Sequence, residues 1–172
     1  AGDSQELGGS NTTEGPASFV LDSNPYTMWH TNWDGSDRSA NWIVLKVAEN
    51  YDARIMGLRY LPRVNAGAQY AFGTIISYRV EVSEDGENWE VAAEGTWLND
   101  AAWKCAYFKP RNANYVRLVS VDSISDDRGA FTSAAEIRLA GSVKEVIPPT
   151  TPEETVTPEP TEEPIPEITP TI

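Results

Sequence analysis

The sequence predicts an all-β fold, an antiparallel β-sandwich, over residues 1–145, followed by a disordered tail over residues 146–172. Three observations carry this. Short apolar runs recur along the chain, and in Tyr78-Arg79-Val80-Glu81-Val82 apolar and charged residues alternate, the period of a strand with one wet face. Turn chemistry separates the runs, most plainly at Asp85-Gly86, a hairpin signal. No window of ten or more residues carries a helical apolar stripe.

Taken in order, residues 1–17 are rich in Gly, Ser, Asn and Thr and show little periodicity. Strand-like runs follow at 43–47, 54–60, 78–82, 89–91, 103–108, 115–119 and 136–139. Strands at such spacing, with turns between them, fit a sandwich or jelly roll, whose loops gather at the two ends and build sites there. From Ile147 onward the polymer changes: eight of the 12 prolines and six glutamates lie there, and no Lys or Arg follows Lys144. Proline fixes φ and removes donors, so this segment is expected to be an extended, unpacked linker.

The net charge is −13, from 13 Lys+Arg against 26 Asp+Glu. Such a surface repels nucleic acid and anionic lipid at long range, so neither is expected as a partner. Cys105 is the single cysteine, which excludes an intrachain disulfide. Its strand-like surroundings predict a buried, inert thiol. The chain has neither a signal-type apolar region nor an apolar run near 18 residues, so it reads as a mature fragment or excised module without membrane insertion.

The groups that carry chemistry lie in three segments. Trp29-His30-Thr31-Asn32-Trp33 sets the only histidine between two of the six tryptophans. Tyr60-Leu61-Pro62-Arg63 ends an apolar run on an arginine, and Phe131 opens the segment before the last run. Aromatic rings offer flat faces to the C–H side of a pyranose, while imidazole and guanidinium offer polar partners to its hydroxyls. No pair of carboxylates is marked out for glycosidase chemistry, and no Cys/His pair or Gly-rich phosphate loop appears. The expectation is a binding module, not an enzyme.

These pieces occur in a recognisable order: residues 21–35, then Leu58-Arg59-Tyr60-Leu61-Pro62-Arg63, Tyr78–Val82 with Ser83-Glu84-Asp85-Gly86-Glu87-Asn88-Trp89, and Ala134-Ala135-Glu136-Ile137. Residues 15–141 so resemble the discoidin, or coagulation factor V/VIII C-type, domain, and more narrowly carbohydrate-binding module family 32. The resemblance implies a discoidin-like jelly roll with Trp29 in the core and His30 and Arg63 facing a sugar. Trp33 and Phe131 are its stacking rings. Phe72 stands where the galactose-binding pattern has an Asn, so Asn65 or Gln69 supplies the missing amide, or Phe72 adds an apolar wall. The resemblance also implies a structural calcium held by Asp22, Thr27 and Glu136, with the carbonyls of Asn24 and Ala135.

The function it implies is a monomeric, non-catalytic module. Such a module binds terminal galactose or N-acetylgalactosamine on host-type or mucin glycans, and its tail joins it to neighbouring modules of a secreted bacterial glycoside hydrolase. The alternative is an adhesion domain that binds a protein or an N-acetylglucosamine-containing glycan.

Overall fold

In the computed structural model the described residues are 1–2, 4–7, 13–32, 41–64, 72–125 and 131–146. The expected stacking ring Trp33, the expected amides Asn65 and Gln69, and the tail from Ile147 lie outside them. The order is β1 (Glu14–Gly15), a 3-10 helix (Ala17–Leu21), β2 (Met28–His30), β3 (Trp42–Lys46), β4 (Tyr51–Leu61), β5 (Ile75–Ser83), β6 (Glu90–Thr96), β7 (Lys104–Asn112), β8 (Tyr115–Ser123), β9 (Ser133–Ala134) and β10 (Glu136–Glu145).

The strands form a four-stranded sheet, β3-β8-β5-β6, a three-stranded sheet, β10-β4-β7, and a small end sheet, β1-β2-β9. All pairings are antiparallel except β1 with β2. The all-β sandwich read from the sequence is therefore the fold, and every expected strand is present. The Asp85-Gly86 turn joins β5 to β6, with the Asp85 carboxylate accepting from the Ser83 hydroxyl and from the Glu87 and Asn88 amides. Those bonds favour the ionised form and hold its pKa far below the usual carboxylate range.

Alternation decides what is buried. Ile43 and Leu45 of β3, Val80 and Val82 of β5, and Val116 and Leu118 of β8 point inward and meet Ile55, Leu58 and Tyr60 of β4 and Ile137 of β10. Trp29 is completely buried, and its indole N–H donates to the Ser4 carbonyl at 2.9 Å. The same alternation corrects the reading of Cys105. The strand is there, but its inward positions are Lys104 and Ala106, so the thiol is exposed on the outer face beside Tyr107. Lys104 is buried through its aliphatic stem and ion-pairs with Asp100.

One buried polar group ties the layers together. The Tyr60 hydroxyl donates to the Ser133 carbonyl at 2.9 Å and accepts from the Ile75 amide at 3.1 Å. Burial pushes its pKa well above the ordinary phenol value. Trp97 stacks on both Tyr60 and Tyr78, at 5.3 and 3.8 Å between ring centroids. Tyr60→Phe leaves the ring packing intact and strands one buried carbonyl and one buried amide. A loss of about 2–3 kcal/mol is expected, within what unmet buried groups cost. Urea unfolding of the two chains measures it, and a loss under about 0.5 kcal/mol contradicts the assigned role.

Candidate functional site

β2 brings His30 to the end sheet, because Trp29 pairs with Ala134 and His30 with Ser133. The pairing continues past the strands: the Thr31 amide donates to the Thr132 carbonyl and the Thr132 amide to the Thr31 hydroxyl, both at 2.9 Å. Phe131 is thereby set next to His30, with ring centroids 5.7 Å apart and tilted by 52°. Both residues are buried, at 3% and 2% exposure, and each ring covers the other.

Gly73 positions the neighbouring segment. Its φ of 85° is left-handed, and an added Cβ would lie 2.6 Å from the Ser133 hydroxyl and 2.8 Å from the Ser133 amide. Only glycine fits there without displacement. Gly73 accepts from the Ser133 amide at 2.8 Å, and the Ser133 hydroxyl donates to the Phe72 carbonyl at 3.3 Å. Phe72 is held beside β9 with a half-buried side chain.

Arg63 follows the end of β4 and ion-pairs with Glu14 of β1, with Nη2 3.0 Å from Oε1. Both side chains are mostly covered, at 15% and 12% exposure, so the pair is less screened than a surface bridge. Arg63 Nε is buried and has no hydrogen-bond partner among the described residues. Leaving such a donor unmet is costly, on the order of 1–3 kcal/mol. Glu14 was not expected from the sequence: it lies in a two-residue strand inside an aperiodic segment, and no local pattern marks it.

His30 Nδ1 lies 2.7 Å from the Thr31 carbonyl. A carbonyl only accepts, so Nδ1 carries a proton and the neutral ring presents Nε2 as an acceptor. Burial lowers the imidazole pKa below its ordinary value, and Arg63 adds to that. The Thr31 carbonyl and the Glu14 and Glu6 carboxylates oppose it. His30, Arg63, Phe131 and Phe72 thus meet at one end of the sandwich as a neutral acceptor, a half-compensated cation and two rings.

The second predicted group lies beside the first. Asp22 accepts from the Asn24 amide at 2.8 Å and from the Thr27 hydroxyl at 2.6 Å, while the Asn24 carbonyl accepts from the same hydroxyl at 2.8 Å. Ser23, at φ 62°, folds this loop tightly. Glu136 is 3% exposed, and its Oε1 has no partner among the described residues. Burial raises its pKa, with the Asp22 charge adding to that and Arg138 and the Ser23 and Asn24 amides opposing it. Among the described residues no three His, Cys, Asp or Glu side chains converge, so the oxygens gathered here are two carboxylates, one hydroxyl and backbone carbonyls. A cleft of about 770 Å³ lies at the other end of the sandwich, lined by Arg54, Ser83, Glu84, Asn88, Trp89 and Arg111.

The family model for the F5/8 type C domain matches residues 3–137, and the chain belongs to that family. Among solved structures, it is similar to a family 32 carbohydrate-binding module from Clostridium perfringens, CpGH89CBM32-5, solved with GalNAc-β-1,3-galactose. That likeness has a TM-score of 0.70 and 30% identity and covers 81% of this chain and 91% of that one. Among curated proteins it is 35% identical over 125 residues to a galactose oxidase of Gibberella zeae and 33% identical over 129 residues to an A type blood N-acetyl-α-D-galactosamine deacetylase of Flavonifractor plautii. These matches cover 70% and 74% of this chain but 17% and 15% of those proteins, so the chain spans under a fifth of either. It is a discoidin-type carbohydrate-binding module, related to modules that accompany glycoside hydrolases and other carbohydrate-active enzymes. No helix among the described residues is long and apolar enough to cross a membrane.

The pKa of His30 has a consequence for stability. A base whose folded pKa is depressed binds fewer protons folded than unfolded, so stability rises with pH. The contribution of the neutral ring is complete above about pH 6.5 and is lost as pH falls through the lower folded value. From about pH 7 to about pH 5, the wild-type chain is expected to lose more unfolding free energy than His30→Gln. Denaturant titrations of both chains at the two pH values check this; equal losses contradict the buried neutral ring.

Proposed function

We propose that this module binds terminal galactose or N-acetylgalactosamine at the His30 end and carries no catalytic activity of its own. The observation that carries the reading is the buried Arg63 Nε, without a hydrogen-bond partner among the described residues, in the group that also holds the neutral His30 ring. Two polar groups of opposite hydrogen-bonding sense suit a hydroxyl, which donates and accepts. The sugar's 4-hydroxyl donates to His30 Nε2 and accepts from Arg63. Phe131, already packed on the imidazole, backs it, which leaves the C–H face of the ring to Trp33. Phe72 adds an apolar wall where related sites carry an amide, and Asn65 is the nearest amide in sequence to Arg63. The galactose-type ligand of the Clostridium perfringens neighbour supports this choice of sugar. The tail is proposed to link the module to a neighbouring domain of a secreted enzyme.

Glucose, with an equatorial 4-hydroxyl, leaves the buried Arg63 donor unmet at ~1–3 kcal/mol. Calorimetric titration is expected to give galactose and N-acetylgalactosamine a Kd of roughly 0.1–1 mM, about −4 to −5.5 kcal/mol. Glucose and N-acetylglucosamine should bind about ten- to a hundredfold more weakly. His30→Ala and Arg63→Ala should remove binding. Equal affinity for galactose and glucose, or full affinity in both variants, overturns the assignment.

We also propose that Asp22, Thr27 and Glu136, with the Asn24 and Ala135 carbonyls, hold a structural calcium. The donor set is all oxygen, in a flexible loop geometry that suits this ion. The partnerless Glu136 Oε1 and the mutual opposition of two carboxylates supply the reason to bind it. At a hundredfold over Kd the ion adds about 2.7 kcal/mol to stability, so chelator should lower the melting temperature by roughly 5–10 °C. A carboxyl whose folded pKa is raised stabilises below its unfolded pKa and loses that contribution as pH rises through the folded value. Glu136→Gln is therefore expected to abolish the response and, in chelator at neutral pH, to melt no lower than wild type. A wild-type melting curve indifferent to chelator rules the site out.

A further inference from the structure

The outer face of the β10-β4-β7 sheet carries a feature that neither the His30 group nor the calcium loop explains. Arg59 of β4 and Arg138 of β10 are direct cross-strand partners. Like charges placed opposite one another destabilise a sheet. Both guanidiniums lie against one ring, with Arg59 Cζ 4.7 Å and Arg138 Cζ 5.3 Å from the Trp103 centroid. The nearest compensation is the buried Glu136 carboxylate, 3.9 Å from Arg138, beyond hydrogen-bonding distance. Arg59 has no carboxylate partner among the salt bridges of the described residues. Further along β7, Tyr107 is 66% exposed, and its ring lies flat across Gly57, where an added Cβ would come within 2.6 Å of it. Trp103 immediately precedes β7 and Tyr107 lies four positions further on. A protein of net charge −13 so concentrates two poorly compensated guanidiniums over one aromatic ring, on the sheet that also carries the exposed Tyr107.

We propose that this face is a second glycan site, specific for a carboxylate-bearing oligosaccharide. Arg59 and Arg138 clamp the carboxylate, which their paired forks suit geometrically. Tyr107 lies under a sugar ring, and Trp103 backs the two guanidiniums. The carboxylate relieves the cross-strand repulsion, so the charged ligand is preferred to its neutral counterpart. The site does not rest on the His30 reading, and its ligand needs no axial hydroxyl.

The test is an NMR titration of the intact chain with β-1,4-linked triglucuronate and, separately, with cellotriose, the same backbone without carboxylates. Triglucuronate is expected to shift the Trp103 indole N–H and the Arg59 and Arg138 Nε–H signals saturably, with a Kd on the order of 1 mM. Raising salt from about 0.05 to about 0.5 M should weaken it severalfold. Arg59→Gln with Arg138→Gln should weaken it by about tenfold or more. Cellotriose should give no saturable shifts, and His30→Ala should leave triglucuronate binding unchanged. Acetate is expected to move the arginine signals and not those of Tyr107. Comparable binding of cellotriose, full binding by the double variant, acetate reproducing the whole pattern at equal affinity, or no response to triglucuronate overturns the proposal. If the double variant does not fold, the exposed Arg138→Gln alone carries the test, and an unchanged Kd there is equally contrary.

Discussion

The Tyr60 hydroxyl holds the His30 end of this module in place. It bonds to both β5 and β9, through the Ile75 amide and the Ser133 carbonyl. Ser133 faces His30 across the end sheet and receives the Phe72–Gly73 turn. Tyr60 also lies three residues before Arg63, so one strand end sets both the hydroxyl and the guanidinium. The short end sheet gains its rigidity from this anchor, since its strands are two or three residues long and make few ladder bonds of their own. Packing fixes the hydroxyl, the hydroxyl fixes Ser133, and Ser133 fixes the polar groups around His30.

Two charged pairs near that anchor behave oppositely. Arg63 and Glu14 compensate one another and leave one guanidinium donor over. Asp22 and Glu136 oppose one another, so that burial and like charge raise the Glu136 pKa. The first arrangement suits a neutral polar ligand, because added net charge would disturb the pair. The second suits a cation, because the site carries more negative charge than the protein compensates. On the sheet face nearby the imbalance is reversed, with Arg59 and Arg138 side by side. A chain that is strongly acidic overall therefore has its charge imbalances sorted into separate places, and these differences, more than the shape of any cleft, distinguish its surfaces.

The strands were legible because alternation and turn chemistry are local: Tyr78–Val82 and the Asp85-Gly86 turn reveal themselves within a few residues. Trp29 as core was legible only through the family resemblance of its segment, which is otherwise made of turn residues. Cys105 was misread because a run such as Trp103–Phe108 shows that a strand exists without showing which parity faces inward; the tertiary register puts Lys104 and Ala106 there instead. Glu14 was illegible for a related reason. Its meaning comes from pairing with Arg63, 49 positions away, and a two-residue strand leaves no periodic trace. The Arg59–Arg138 pair is likewise a product of register, since neither arginine is unusual in its own strand.

The central claim is that His30 and Arg63 together receive a galactose hydroxyl. The most direct measurement follows the His30 ring nitrogens and the Arg63 Nε–H by nitrogen-15 NMR during a galactose titration. The His30 ring is expected to be neutral and protonated at Nδ1. Saturable shifts of His30 Nε2 and Arg63 Nε with one common Kd are expected, with Arg63 Nε–H exchange with solvent slowing as the sugar binds. Saturable galactose binding that leaves both nitrogens unmoved would contradict the claim.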